Sequence, residues 1–383
     1  MTRIYADNAA TTKLSKTALD AMMPFLTDRF GNPSSAHADG AQASEALLSA
    51  REAMARLLNC RARDLYFTSG GSEADNQALL SAAVWGAAHG RRHLVSSAFE
   101  HPAVLRTLAF LQKNGFEVTL LAPSSDGMIQ AEQVESAIRT ETCLVSLMIA
   151  NNEVGTIQPI TEVGKLCRRR GVFFHTDAVQ AAGHIPIDTA AMNIDLLSLS
   201  AHKFHGPKGV GALYLCRDLP PVSLIRGGGQ ERGARAGTEN VPGIVGMAAA
   251  LSESCGRLAE NAAYVSRLRE QLLSGLERID GAHPVGNRTH RLPGIVNCCF
   301  ERVESEALLF LLDSAGISAS AGSACSAGAL EPSHVLRSMG VPDRLARGSL
   351  RLSLSETNTP EEIERILSAV SSAVSRLRKE ENP

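Results

Sequence analysis

Short apolar runs alternate with longer segments of helical periodicity through the first two thirds of the chain. The apolar runs are of strand length and have few polar interruptions, which is typical of strands buried on both faces of a sheet. This pattern predicts an α/β fold in which helices flank a largely parallel sheet. Strands are predicted at residues 65–68, 93–97, 116–121, 143–148, 172–175, 195–199 and 211–215, and helices from 72, at 102–115 and at 130–139.

The pattern changes near residue 240, where a long helical segment begins that runs to about residue 280. A strand, a helix, a loop of small residues, a strand and a helix are predicted beyond it, at residues 294–300, 305–315, 318–328, 349–354 and from 360. Thr359 is the predicted N-cap of the last helix, because a proline follows it at the first helical position. We assign residues 15–255 to a large domain, and residues 1–14 and 256–383 to a smaller α+β domain.

The composition is that of a folded protein with enough apolar residues for these two domains. Of the 383 residues, 44% are hydrophobic and 20% are charged, and the formal net charge is −2. We expect no direct binding to nucleic acid, because this balance produces no overall positive field. We expect no membrane span and no signal peptide, because no apolar stretch has the required length. The eight cysteines form no C-x-x-C pair, which argues against a zinc ribbon or a thioredoxin-like site. Without a secretory signal we expect mostly reduced thiols and a cytoplasmic protein.

Candidate chemistry lies directly after the predicted strands, since open α/β sheets bind ligands at the carboxyl ends of their strands. The first strand leads through a turn with the sequence TSGGSE, residues 68–73, into a helix. Gly71 and Ser72 in this turn could bring backbone N–H groups close to a phosphate. The alternative is an ordinary turn between a strand and a helix, with Ser72 as the N-cap.

Three further strands end in polar side chains. His101 precedes the helix-opening Pro102, and Asn152 lies in a turn of two amides and a carboxylate. Asp177 follows the strand at 172–175, where an unpaired carboxylate would be costly to desolvate. A protonated ring nitrogen of a ligand would be a suitable partner for Asp177.

Lys203 follows the next strand, and three interpretations of its segment compete. Ser200 and Lys203 have the spacing of acyl-transferring serine enzymes, but the companion motifs are missing. His202 and His205 could bind a metal, but no matching third ligand is evident, and we predict no metal site. The third interpretation is a lysine that forms a Schiff base with pyridoxal 5′-phosphate, its pKa lowered by desolvation. This one accounts for most residues, because Asp177 and the glycine turn supply the other parts that the cofactor needs.

Cys325 lies in a stretch with almost no large side chains, SAGSACSAG at residues 320–328. Such a stretch cannot form a core element, so an exposed loop is predicted. A cysteine is hard to bury there, which favours a reactive thiol over a structural one.

Taken together, these motifs resemble the cysteine desulfurases of the NifS/IscS group, which are class V, fold type I enzymes that use pyridoxal phosphate. The resemblance extends over nearly the whole chain. The motifs that carry it are YADNAATT at 5–12, GNPSS at 31–35, TSGGSE at 68–73, NNEVG at 151–155, HTDAVQ at 175–180, the Lys203 segment, GGGQE at 227–231, RAGT at 235–238 and the Cys325 loop.

The resemblance implies a role for each site residue. Lys203 would hold the cofactor covalently and move protons, Asp177 would pair with the pyridine nitrogen, and His101 would stack on the ring and act in acid–base steps. Gln180 would contact the phenolic oxygen. The implied phosphate ligands are Gly71, Ser72, Ser200 and His202, with Thr238 from the second subunit of a homodimer. Asn152 and Arg351 would hold the substrate carboxylate.

The implied reaction converts L-cysteine to L-alanine and leaves a persulfide on Cys325. The sulfur would pass to an acceptor protein, either an iron–sulfur scaffold of the IscU/NifU type or a tRNA-thiolation enzyme. Selenocysteine lyase or another class V aminotransferase-type reaction is the alternative. The chain departs from the common pattern at Ser72, where threonine is usual, and at Ser355-Glu356, where Gly-Arg often stands.

Overall fold

The computed structural model describes residues 3–216, 219–322 and 332–380. The strands in this part are β1 (Ile4–Tyr5), β2 (Leu65–Thr68), β3 (His93–Ser97), β4 (Glu117–Leu121), β5 (Thr142–Ser146), β6 (Phe173–Asp177), β7 (Leu196–Ser200), β8 (Gly211–Leu215), β9 (Ala282–Val285), β10 (Ile295–Phe300), β11 (Ile317–Ser318) and β12 (Ser349–Ser353).

Within the described residues, seven strands form the central sheet in the order β2-β8-β7-β6-β5-β3-β4. Strands β4, β3, β5, β6 and β7 pair in parallel, whereas β8 is antiparallel to both of its neighbours. Every residue of β3, β5 and β7 is buried, because helices cover both faces of the sheet. The predicted α/β fold with a largely parallel sheet is therefore confirmed.

The helices of the described part are α1 (Lys16–Thr27), α2 (Ala38–Leu57), α3 (Gly71–Ala88), α4 (Pro102–Lys113), α5 (Ala131–Ala137), α6 (Ile160–Arg170), α7 (Val241–Gly256), α8 (Leu258–Leu276), α9 (Ser305–Ser314), α10 (His334–Ser338), α11 (Asp343–Ala346) and α12 (Pro360–Glu380). The predicted long helical segment is two helices, α7 and α8, with Arg257 between them in a non-helical conformation. Thr359 accepts a hydrogen bond from the Glu362 N–H at 3.3 Å, as expected of an N-cap at the start of α12.

A second, antiparallel sheet in the order β12-β10-β9 lies in the C-terminal third, and we call it the C-terminal sheet. Together with α8, α9 and α12 it encloses its own cluster of buried apolar side chains, including Val296, Leu352 and Ile366. The N-terminal strand β1 adds to this part of the molecule, since it pairs with β11. None of the described helices combines the length and apolar character needed to cross a membrane.

Candidate active site

Lys203 lies at the end of a short turn, Ala201–Lys203, that directly follows strand β7. Its Nζ donates hydrogen bonds to the Ala9 carbonyl at 2.6 Å and to the Ala10 carbonyl at 2.9 Å. The N-terminal segment therefore crosses the carboxyl edge of the central sheet and holds the amine there. The side-chain Nε2 of Gln180 donates to the same Ala9 carbonyl at 2.9 Å, which places Gln180 beside Lys203.

Asp177 ends the neighbouring strand β6 and is only 6% exposed. One carboxylate oxygen accepts the Val179 N–H at 2.8 Å. Burial raises the pKa of Asp177, although the charges of His101 and Lys203 and the Val179 hydrogen bond oppose this. A buried carboxylate in this position can hold a cation or a protonated ring nitrogen.

His101 is the N-cap of α4, and its Nδ1 accepts the Ala103 N–H at 3.1 Å. That contact leaves Nε2 as the nitrogen that carries the hydrogen of the neutral ring. Burial lowers the pKa of His101, and Lys203 and His334 add to this effect against the attraction of Asp177. Side-chain atoms of Asp75, His101 and Asp177 all lie within 4.8 Å of one another.

Two further buried carboxyl groups, Asp75 and Glu100, lie near Asp177. Burial, with the charge of Asp177 next in importance, raises the pKa of Asp75 well above its ordinary value. Burial also raises the pKa of Glu100 to about 8, even though Ser97 and the Met148 N–H donate to it. The pKa values of Asp75 and Glu100 are therefore both shifted in favour of the neutral form. Asp177 differs from them because the charges of His101 and Lys203 both act to lower its pKa.

A cradle for an anion lies at the start of α3. A Cβ on Gly71 would come 2.6 Å from the Val179 side chain, and a Cβ on Gly211 would come 2.6 Å from the Gly70 backbone, so neither glycine can be replaced without movement. Gly70 is the N-cap and provides no side-chain hydrogen bond. The alternative of Ser72 as the N-cap is therefore wrong, and the helix N-terminus keeps N–H groups for a ligand.

An open cavity of about 470 Å³ adjoins this cradle. The residues that line it include Thr11, Gly71, Ser72, Ser200, His202 and Lys208. The Nδ1 of His202 lies 3.1 Å from the Thr11 hydroxyl. Burial, together with Lys203 and Lys208, lowers the pKa of His202 to about 4, so the ring is a neutral hydrogen-bonding group beside the cationic Lys208.

Arg351 lies in the middle of β12 and is 1% exposed. Its guanidinium donates to the Asp7 carboxylate at 2.9 Å and to the Asn152 carbonyl at 3.0 Å. The Nε of Arg351 is buried and has no hydrogen-bond partner among the described residues. A buried donor without a partner is costly, and a carboxylate ligand would satisfy it.

Cys325 lies outside the described residues. The described residues on either side of its segment both approach Glu153: the Cα of Gly322 faces that carboxylate, and the Ser333 hydroxyl donates to it at 2.5 Å. Ser320 exchanges backbone hydrogen bonds with Arg351. Thr238 is exposed and lines a separate cavity near Arg29 and Phe30, so one chain does not bring it to the Gly71 cradle.

The family model for aminotransferase class-V matches residues 4–366, nearly the whole of this arrangement. The chain belongs to this family. A curated relative from Methanosarcina thermophila named cysteine desulfurase IscS is 48% identical over 98% of this chain and 93% of its own length. A relative of the same name from Clostridium botulinum is 46% identical over 98% of this chain and 96% of its own. A solved structure described as a NifS-like protein superimposes with a TM-score of 0.92, at 38% identity over 98% of this chain and 100% of that one.

This class-V enzyme uses pyridoxal 5′-phosphate, and its own residues fit that cofactor. Lys203 would supply the amine, Asp177 would supply the buried carboxylate for the pyridine nitrogen, and the Gly71 cradle with Lys208 would supply the anion site. Sequence reasoning did not identify Lys208, Thr11 or Asp7 as site residues. Asp7 carried a signal, because it lies within the YADNAATT motif, and Lys208 lies in the glycine–proline turn that follows Lys203.

Proposed function

We propose that this chain is a cysteine desulfurase that converts L-cysteine to L-alanine and keeps the sulfur as a persulfide on Cys325. The names of its relatives favour this function over selenocysteine lyase and over amino transfer. The observation that carries the proposal is the placement of Arg351. Among the described residues its Nε has no hydrogen-bond partner, and its backbone is hydrogen-bonded to Ser320. A substrate carboxylate bound at Arg351 would therefore lie close to Ser320, five residues before Cys325 in the sequence.

Pyridoxal phosphate, when bound, supplies an aldehyde for covalent attachment of the amino group and a ring that takes up electrons. Lys203 holds the cofactor and, once its amine is free, accepts and returns a proton. The Asp177 carboxylate keeps the ring nitrogen protonated by its charge. His101 would lie over the ring and offer the hydrogen on Nε2, and Gln180 would contact the phenolic oxygen.

The phosphate is held by Gly71, Ser72, Ser200 and His202, with the partner subunit's Thr238 completing the set. The lining of the cradle by three of these side chains and Lys208 supports this assignment. Glu73 also lines this cavity, but it pairs with Arg235 at 3.1 Å. The charge of Lys208 therefore remains to attract a phosphate.

The substrate carboxylate is held by Arg351 and Asn152. Arg351 is buried and held in place by Asp7, so it is oriented before the substrate arrives and loses little side-chain freedom on binding. Asn152 is 9% exposed, and its backbone already contacts the guanidinium. An amino acid held by these two residues would lie next to Ser320, which is paired with Arg351.

In the sulfur-transfer step, the Cys325 thiolate attacks the sulfur of L-cysteine, and the carbon–sulfur bond breaks. The electron pair of that bond stays with the carbon, which gains a proton and becomes the methyl group of alanine. One sulfur atom is thus added to Cys325 with no external oxidant. A thiolate is required because the thiol is a poor nucleophile.

The enzyme is proposed to act as a homodimer, which the exposed apolar surface around α1 supports. Met23, Leu26 and Phe30 are 46%, 53% and 78% exposed, and a subunit interface would cover exposed apolar side chains of this kind. Thr238 lies near this surface, as the proposed contribution to the second active site requires. Light scattering tests the dimer, and a monomeric mass would contradict it.

The persulfide is proposed to pass to an acceptor protein, either an IscU/NifU-like scaffold or a tRNA-thiolation enzyme, in the cytoplasm. Residues 15–255 are proposed as the domain that binds the cofactor, and residues 1–14 and 256–383 as the domain that carries Cys325. One buried apolar cluster, which includes Val296, Leu352 and Ile366, lies entirely within residues 1–14 and 256–383 and supports this division.

Product analysis with three amino acids tests the proposed function. L-Cysteine should give alanine and protein-bound sulfur in equal amounts, whereas L-alanine with a keto acid should give no new amino acid. Release of alanine from L-selenocysteine, with none from L-cysteine, would contradict the proposal and establish the lyase.

A further inference from the structure

An ion pair joins the segment after β12 to the segment after Lys203. The Glu356 carboxylate lies 3.3 Å from His205 Nε2, and the two side chains are 30% and 14% exposed. His205 follows Lys203 by two residues, and Glu356 follows Arg351 by five.

The surroundings of His205 favour the protonated ring. Its Nδ1 lies 3.0 Å from the Lys13 carbonyl, which can only accept, so Nδ1 carries a hydrogen. Its Nε2 lies 3.3 Å from the Glu356 carboxylate, within ion-pair distance. The negative charge of Glu356 therefore favours a second hydrogen on Nε2, which makes the ring a cation.

The charged groups around His205 agree with this state. Burial acts to lower its pKa, but the hydrogen bond and charge of Glu356, with the Lys13 carbonyl and the charge of Glu253 on α7, raise the pKa above its ordinary value. The hydrogen bond from His205 lowers the pKa of Glu356 to about 2. The remaining titratable neighbour, His184, donates from Nε2 to the Lys203 carbonyl at 3.0 Å, and burial lowers its pKa.

The backbone of His205 cannot move independently of its surroundings. It has φ of +65°, in the left-handed region that costs energy for a residue with a side chain. Its N–H donates to the Thr12 hydroxyl at 2.8 Å, and its carbonyl accepts the Ser15 N–H at 2.9 Å. The ring therefore has a fixed position from which to hold Glu356.

A second connection between the same two parts runs through the N-terminal segment. Ser353, the last residue of β12, accepts the Asn8 N–H on its carbonyl and the Ala9 N–H on its hydroxyl. Ala9 in turn accepts from Lys203 Nζ. The strand that carries Arg351 is thus attached to the Lys203 turn on two sides, at Ser353 and at Glu356.

We propose that His205 and Glu356 are positioning residues that fix the strand of Arg351 relative to Lys203, so that one L-cysteine can reach both groups. This inference rests on the proposed function. We call the pair the His205–Glu356 clasp. It is complete only while His205 is protonated and Glu356 is ionised.

The two pKa shifts define the pH range of the clasp. The stability that His205 contributes is present below its unfolded pKa of 6.5 and is lost as pH rises through its raised folded value. The stability that Glu356 contributes is present above its unfolded pKa of 4.5 and is lost as pH falls towards about 2. The clasp therefore opens as pH rises through the raised pKa of His205, above 6.5.

The first measurement is an NMR titration of histidine rings in the full-length protein with its cofactor. The resonance that is missing in His205→Asn belongs to His205. Its pKa should lie above 6.5 in the parent. In Glu356→Gln its pKa should lie below 6.5, because the effect of burial then dominates. A parental value at or below 6.5, or the same value in both proteins, would overturn the inference. Glu301→Gln is the matched control, since Glu301 pairs with His283 at 2.8 Å on an exposed surface far from Lys203 in the sequence.

The second measurement separates KM from kcat for L-cysteine across the same pH range. Below the His205 pKa, Glu356→Gln should raise KM about three- to tenfold, the effect of a partly buried ion pair, and leave kcat within about twofold. The parental KM should rise at the His205 pKa, and the Glu356→Gln profile should lack that step. A variant profile that matches the parent would refute the clasp, whereas absence of alanine in every protein would refute the proposed function instead.

Discussion

Asp177→Asn tests the central electrostatic claim of the site, because it removes a charge and almost nothing else. The side-chain oxygen of the new asparagine can still accept the hydrogen bond from the Val179 N–H. In the parent this N–H lies 2.8 Å from the Asp177 carboxylate. Two unit charges about 4 Å apart attract by about 4 kcal/mol at an effective dielectric constant of about 20. Each 1.36 kcal/mol is a factor of about ten, so we expect turnover to fall by about 10³-fold.

The fold should tolerate this change, since burial raises the pKa of Asp177 and its ionised form costs folding free energy at neutral pH. The melting temperature of the apo-protein should therefore not fall.

Asp75→Asn is the matched control: Asp75 is 1% exposed and its raised pKa favours the neutral acid, which asparagine imitates. Its turnover should stay within about threefold of the parent. The measurement is alanine formed from L-cysteine, in proteins with equal cofactor content. Asp177→Asn turnover within about tenfold of the parent would refute the reasoning.

Three other substitutions test separate parts of the account. Borohydride reduction should attach the cofactor to the peptide of Lys203 and leave Lys203→Ala unlabelled; a label on another lysine would contradict the assignment. Arg351→Lys should raise KM for L-cysteine about 10- to 100-fold, because it loses charge-assisted hydrogen bonds and the planar fork; a KM within twofold would show that Arg351 does not bind the substrate. Glu231→Ala should lower the free energy of unfolding in urea by about 3 kcal/mol or more, because it leaves Arg51 buried without its two hydrogen bonds at 2.7 and 2.8 Å. A loss below about 1 kcal/mol would contradict this.

Much of the central sheet could be predicted from the sequence, because its strands are buried on both faces. The strand at 93–97 and the strand at 211–215 have the predicted bounds. The antiparallel direction of the latter was not predictable, since its apolar run looks the same in either direction and pairing depends on distant residues. The break at Arg257 was missed for a related reason: the helical pattern continues across it.

The candidate site likewise combines residues that a local sequence pattern predicts with contacts between residues that are far apart in the chain. The carboxyl-end argument found Asp177 and Lys203, because each follows a recognisable strand. The pairing of Asp7 with Arg351 joins residues 344 positions apart, and no local pattern encodes such a contact. The same holds for Glu356 and His205, whose partnership depends on how β12 lies against the Lys203 turn.

Transfer of sulfur to Cys325 is the central claim, and Cys325→Ser tests it most directly. The variant keeps Lys203 and Arg351, so it should bind L-cysteine and change the cofactor absorbance as the parent does. One measurement decides: alanine and protein-bound sulfur are quantified after L-cysteine is added to each protein, with the sulfur located by peptide mass spectrometry. The account predicts one extra sulfur atom on Cys325 and an equal amount of alanine in the parent, and neither above background in the variant. Alanine formed by Cys325→Ser at the parental rate would contradict it.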